Sequence, residues 1–212
     1  AIAVEEIARG CASTADILDA QLCLCAAPLY RYSNEEQRQR FVPPLVKGEK
    51  VGAHAITESE AGSDVSNIKM TAIRDGDYYI LNGTKIFITN GDVCDTVMVF
   101  ANIPDLGSRG MTAFVVEKGT PGYTKGNKYD KLGMRAATNA DQVFEDCRIP
   151  AANRISEEGR GMRIFLEIID HGRIGIAAQA LGITQAVLDR AVDYAKQRQQ
   201  FGAAIASYQA IG

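Results

Sequence analysis

Between Thr57 and Asp64 the chain reads TESEAGSD, a cluster of hydroxyls, acids and small residues placed directly after the apolar run VGAHAI. Backbone N–H groups at Gly62 and Ser63 can approach an anion closely, and the Thr57 and Ser63 hydroxyls add donors. The same letters also fit a polar loop with an Asx turn at Asp64. In KIFITNG, Lys85 to Gly91, Phe87 offers an aromatic face and Thr89 a hydroxyl, or else an aromatic in a sheet core runs into an Asn-Gly turn. Asp170 and Arg173 are three residues apart, which places a carboxylate and a guanidinium on one helix face, as an ordinary surface ion pair or as the edge of a charged groove. In RQQFG, Arg198 suits either the negative end of a helix or paired charge-assisted bonds to a phosphate.

Other chemistries lack their residues. The chain has 20 glycines but no GxGxxG, GxxxxGK[ST], HExxH or GxSxG, so dinucleotide-fold, P-loop, zinc-protease and lipase-type sites fall away. Ser66 and Lys69 form an S-x-x-K without its companion motifs. Only His54 and His171 are available for a triad. Two histidines and five cysteines without a CxxC argue against a metal, and the odd cysteine count points to a reducing compartment. Net charge is −3, with no basic run interleaved with aromatics, which argues against nucleic acid. No run of eighteen apolar residues is present.

These residues must be positioned by elements that the pattern marks out. Residues 2 to 26 carry apolar side chains at helical spacing. Ser33 with Glu36 forms a capping box for a second helix, which Pro43-Pro44 should end. From Val51 the period falls to two, with β-rich runs separated by Asp75-Gly76-Asp77, Asn82-Gly83 and Asn90-Gly91. After Pro150 the helical period returns, and the proline-free stretch from Gly161 predicts one long helix of roughly 57 Å. Gly172, Gly175 and Gly182 inside it predict a close neighbour. The expected architecture is α+β: a helical part over 1–50, an antiparallel, barrel-like β domain over 51–155, and a helical part over 156–212. The chain opens AIAVEE and stops at SYQAIG with helical signal still running, so both ends are expected to be cut.

AITESEAGSD, KIFITNG, FEDCRIP and IIDHGRIGIAAQALGITQAVLDRAVDYAKQRQQFG, in this order and spacing, resemble the acyl-CoA dehydrogenase family, most of all its short-chain, butyryl-CoA branch. The resemblance covers essentially the whole chain. It implies FAD-dependent α,β-dehydrogenation of an acyl-CoA thioester, with electrons passed to an electron-transfer flavoprotein, in fatty acid or amino acid catabolism. A homo-oligomer, typically a tetramer, is implied, in a bacterial cytoplasm or a mitochondrial matrix. His54, Ile56, Thr57, Gly62 and Ser63 would lie along FAD, with Phe87, Ile88 and Thr89 at the flavin. Arg198, Phe201 and Gln209 would hold the ADP portion of a neighbouring subunit's FAD. Ser63, Asp170, Gly172 and Arg173 would contact the acyl-CoA.

Three departures qualify the match. Many relatives carry Trp at the position of Phe87, and a hydroxyl residue at Ala137. The family's base is a Glu beyond this chain or, in other branches, at the position of Gly172, so no catalytic base is assigned within residues 1–212. An enoyl-CoA reductase on the same fold, or a non-catalytic fragment, stays open beside the main reading.

Overall fold

The structure, a computed structural model, describes residues 1–211. The N-terminal apolar spacing gives α1 (Ile2–Gly10), α2 (Ala12–Asp19), a π-helical segment (Ala20–Ala26) and α3 (Ala27–Tyr32). Cys11, extended at φ −156°, breaks α1 from α2. The π segment shifts the carbonyl register by one residue, a device frequent at functional sites.

The next helix, α4 (Glu35–Val46), corrects two expectations. Its cap is Asn34, one residue beyond Ser33. The Asn34 side chain accepts the Gln37 N–H at 2.9 Å, and the Gln37 side chain accepts the Asn34 N–H at 3.0 Å. Burial of Gln37 sets this register, because its amide also donates to the carbonyls of Ala152 and Arg154, both at 2.7 Å. Nor do Pro43 and Pro44 end the helix. Each lacks a donor but keeps a carbonyl, accepting Lys47 N at 3.0 Å and Glu49 N at 2.9 Å respectively, while buried Phe41 and Leu45 anchor the last turns.

Eight strands follow: β1 (Gly52–Ala55), β2 (Thr71–Asp75), β3 (Tyr78–Thr89), β4 (Thr96–Asn102), β5 (Met111–Glu117), β6 (Tyr123–Lys128), β7 (Asn139–Pro150) and β8 (Arg154–Ile155). They form one sheet in the order β6-β7-β3-β2-β4-β5-β8, with β1 beside β4. The expectation of an antiparallel sheet is corrected at two places: β1 on β4 and the single Thr71–Asn102 pair of β2 on β4 are parallel, and the other ladders are antiparallel. Asn82-Gly83 is no turn. It lies inside β3 as a bulge, with Gly83 at φ +146°, where a Cβ would fall 2.8 Å from Met70, and with Asn82 accepting from Asp146 N at 2.8 Å.

Strand alternation separates two cores. Val97, Val99 and Ala101 of β4 face one, with Leu81, Phe114 and Phe144. Met98 and Phe100 face the other, against Leu29, Phe41 and Leu45 of the helices and Ile164, Phe165 and Ile168 of α5 (Gly161–Gln197). That helix is unbroken over 37 residues, roughly 55 Å, and its glycines mark contacts. A Cβ at Gly172 would sit 3.0 Å from Leu24, at Gly175 2.0 Å from Asp19, and at Gly182 2.1 Å from the Glu5 carbonyl. Beyond α5, β9 (Gln199–Gln200) and β10 (Ala203–Ala204) form a two-residue hairpin. No helix among the described residues is long and apolar enough to cross a membrane.

Because the Glu5 carbonyl is backbone, Gly182→Ala must push α1 away from α5. Urea unfolding should show a loss of about 1–3 kcal/mol. Gly10→Ala, where nothing lies within 4 Å of the added carbon, should be neutral or stabilising.

Candidate functional site

The edge after β1 stands on a buried ion pair. Lys85 of β3 has no solvent exposure, and its ammonium donates to Glu58 at 2.6 Å and to the Ile56 carbonyl at 3.0 Å. Glu58 also accepts the backbone N–H groups of Lys69 at 2.6 Å and Met70 at 3.1 Å. Its own backbone closes a bridge with Ala61, at 3.0 and 3.2 Å, so the chain turns back and Gly62 and Ser63 emerge exposed. Burial pushes the Lys85 pKa down to about 8 against the opposing pull of Glu58. Neither residue was a site candidate, because Lys and Glu are rarely buried. One signal was available: Lys85 shares the alternation phase of buried Tyr79 and Leu81.

The β3–β7 register shifts between Lys85 and Ile88, and this bulge shapes the next wall. Ile86 N–H donates to the Thr57 carbonyl at 2.8 Å, tying β3 to the TESEAGSD edge. Phe87 sits at φ +61°, a left-handed conformation that costs of order 1–3 kcal/mol in a non-glycine residue. Its ring is turned outward, 55% exposed, 4.5 Å from the ring of Tyr129. Asn139 holds this arrangement, its amide donating to the Phe87 carbonyl at 2.8 Å and to the Thr89 hydroxyl oxygen at 3.0 Å. The Thr89 hydroxyl thus keeps its hydrogen to donate.

A cavity of about 240 Å³ lies between this wall and the helices. The sheet side supplies His54, Ile56, Thr57, Gly62, Phe87, Ile88 and Thr89, while Ala20, Leu24, Phe165 and Ile169 form the helical side. Seven of the sequence-derived candidates therefore share one space. His54 Nδ1 lies 3.2 Å from the Leu24 carbonyl, which can only accept, so Nδ1 carries the hydrogen and Nε2 is a bare acceptor. Nε2 is sealed from solvent without a partner among the described residues, and burial pushes the ring's pKa down to about 4.

The remaining candidates lie elsewhere. Ser63 is exposed and lines neither this cavity nor the next. Gly172 and Arg173 border a second cavity of about 240 Å³ with Asp19, Leu24, Ile169 and Ile176. Asp170 is outside it, in an exposed pair with Arg173 at 3.3 Å. Ala137 is fully buried. Arg198, Phe201 and Gln209 are exposed past the end of α5, and the 33 residues from Phe165 to Arg198 carry them about 50 Å along the helix axis. Within one chain they do not meet the cavity.

The family models described as acyl-CoA dehydrogenase N-terminal, middle and C-terminal domains match residues 1–49, 53–147 and 159–212. The chain belongs to the acyl-CoA dehydrogenase family. It is 44% identical over 211 residues to an acyl-CoA dehydrogenase, short-chain specific, of Clostridium acetobutylicum, covering 99% of this chain and 56% of that protein. The butyryl-CoA dehydrogenase structure from Megasphaera elsdenii superposes with TM-score 0.96 at 46% identity, covering 99% of this chain and 55% of that one. A chain in a structure described as the electron transferring flavoprotein of Acidaminococcus fermentans gives TM-score 0.97 at 46% identity, with the same 99% and 55% coverage. The chain thus spans about half the length of the acyl-CoA dehydrogenases it matches.

Two measurements test the construction. Glu58→Gln or Lys85→Met leaves one buried partner uncompensated and should cost about 3–5 kcal/mol in denaturant unfolding, whereas the double variant should recover much of that loss. His54 gives a pH signature. Its folded pKa of about 4 lies below the ordinary 6.5, so the unfolded chain binds more protons between these values. Stability should fall as pH drops from 6.5 towards 4, and His54→Phe should flatten that limb.

Proposed function

We propose that the protein catalyses FAD-dependent α,β-dehydrogenation of a short-chain acyl-CoA thioester to the trans-2-enoyl-CoA, with electrons passing to an electron-transfer flavoprotein. The cavity between the β3 bulge and the helices carries this reading. It combines a strained, outward-facing aromatic and free hydroxyl donors with an apolar opposite wall. These features suit an isoalloxazine ring. Phe87 would supply a face for the ring, and Thr57 and Thr89 would supply hydroxyl donors for its polar edge. Gly62 has open space beside it and, with Ser63, offers backbone donors towards a pyrophosphate.

FAD, when bound, supplies the acceptor for the hydride equivalent that leaves the β carbon. The protein's task is to hold the thioester between that ring and the helical wall of Leu24, Phe165 and Ile169, where water is excluded. Arg173 and Asp170 stand at the outer edge, suited to the polar part of CoA. The proton on the α carbon must go to a base, and no residue here is assigned that role: Asp170 faces neither cavity, and position 172 is Gly.

The roughly 50 Å of helix between Phe165 and Arg198, with Phe201 and Gln209 beyond it, supports a homo-oligomer, tetrameric in this reading, in which these residues serve another copy's cofactor. Exposed Leu181, Val187, Leu188 and Val192 on the same helix support it too.

Anaerobic titration of the full-length, FAD-loaded protein with butyryl-CoA should bleach the oxidised flavin band, and electron-transfer flavoprotein should restore it. Absence of bleaching by any acyl-CoA would overturn the proposal; reoxidation of the reduced protein by crotonyl-CoA alone, without the forward reaction, would assign the reductase direction. Asn139→Ala removes two hydrogen bonds worth about 1 kcal/mol each, so FAD should bind at least roughly tenfold more weakly by calorimetry.

A further inference from the structure

The side-chain amide of Asn139 has a donor end and an acceptor end, and which end faces Thr89 decides what Thr89 can offer the first cavity. With Nδ2 towards it, the Thr89 hydroxyl oxygen accepts at 3.0 Å and the hydroxyl hydrogen stays free. With Oδ1 there instead, the hydroxyl would have to donate that hydrogen to Asn139.

Lys131 removes the choice. Its ammonium donates to Asn139 Oδ1 and, at 2.5 Å, to the Ala137 carbonyl. An ammonium has three hydrogens and no acceptor, so only the oxygen end of the amide can face it. Nδ2 is thereby turned to the Phe87 carbonyl at 2.8 Å and to Thr89. No acceptor among the described residues takes the Thr89 hydrogen, and Thr89 lines the cavity while Lys131 does not.

The loop between β6 and β7 holds Lys131 in place. Arg135 donates to the Lys131 carbonyl at 2.7 Å and pairs with Asp130 at 2.6 Å, and the Tyr129 N–H donates to the Asn139 carbonyl at 2.9 Å. Among the described residues the direct partners of the ammonium are neutral oxygens, not carboxylates. Asp16 of α2 is near enough for the ammonium to oppose the burial that raises that carboxyl's pKa.

We propose that Lys131 is a positioning residue for the cofactor: it fixes the direction of the Asn139 amide and so keeps the Thr89 hydroxyl a donor towards the cavity. The inference rests on the flavin reading of that cavity. The polar edge of an oxidised flavin presents mostly carbonyl oxygens and bare ring nitrogens, so a hydroxyl with a free hydrogen suits it. A hydroxyl that donates to Asn139 does not.

The test measures FAD binding to deflavinated full-length protein by calorimetry in a double-variant cycle. Lys131→Met lets the amide turn its oxygen to Thr89, and FAD should bind roughly five- to tenfold more weakly, the loss of one hydrogen bond. Lys131→Arg, whose guanidinium also only donates, should bind FAD like the unaltered protein. In a Thr89→Val background there is no hydroxyl to orient, and Lys131→Met should change affinity less than about twofold. A lysine that only supports the loop would cost the same in both backgrounds. Asn139→Asp gives a second route, since it keeps a partner for Lys131 but can only accept: it should weaken FAD binding with Thr89 present and much less in Thr89→Val. Unchanged affinity in Lys131→Met, or an equal loss in both backgrounds, would overturn the role of Lys131 and leave the flavin reading standing. Where Lys131→Met does not fold, the same two outcomes in Asn139→Asp decide. Failure of the unaltered protein to bind FAD would overturn this role together with the flavin reading.

Discussion

A carboxylate and an ammonium with almost no access to water govern the geometry of this protein's groove. Glu58 and Lys85 are tolerated in the interior because three donors converge on the carboxylate and because Lys85 also reaches a backbone carbonyl. Such a pair adds little net stability compared with apolar residues of the same size, but it fixes position strictly, since any displacement strands a buried charge. The loop after β1 is therefore pinned to β3 and to the approach to β2 at one point. Gly62 and Ser63 are free to face outward because Glu58 faces inward.

The β3 bulge continues the same construction. With Lys85 drawn inwards to Glu58 and Ile86 N–H drawn to Thr57, the strand cannot keep its register against β7. Phe87 takes the left-handed conformation that follows, and Asn139 secures it through two hydrogen bonds. Strain at a non-glycine residue persists only where the surroundings over-determine it. Here the ion pair on one side and the Asn139 amide on the other do so.

Opposite this wall, the helical layer is shaped by what it omits. Three glycines let α5 lie close to α1, α2 and the π segment, and the π segment turns the Leu24 carbonyl towards His54. The cavities sit where these layers fail to close. They are lined mainly by apolar side chains, and close to them His54 Nε2 and Asp19 Oδ1 are buried without a hydrogen-bond partner among the described residues. A fold optimised only for stability would bury neither.

The sequence by itself determined the succession of helices, sheet and long helix, because periods of 3.6 and two are local properties of the chain. It also marked the TESEAGSD and KIFITNG segments, since small residues, hydroxyls and an aromatic are visible in the letters. Closely placed helix glycines were readable as contacts, though not which partner each would meet. Only the tertiary structure decided the rest. Asn34 replaced Ser33 as a cap because Gln37 found partners over a hundred residues away, and Asn82-Gly83 became a bulge because Met70 and Asp146 pack against it. Glu58 and Asn139 carry no local sign of their roles, and Lys85 shows only the alternation phase that it shares with buried Tyr79 and Leu81. Burial and hydrogen-bond satisfaction are properties of neighbours distant in sequence, and the chain has neighbours of that kind only once folded.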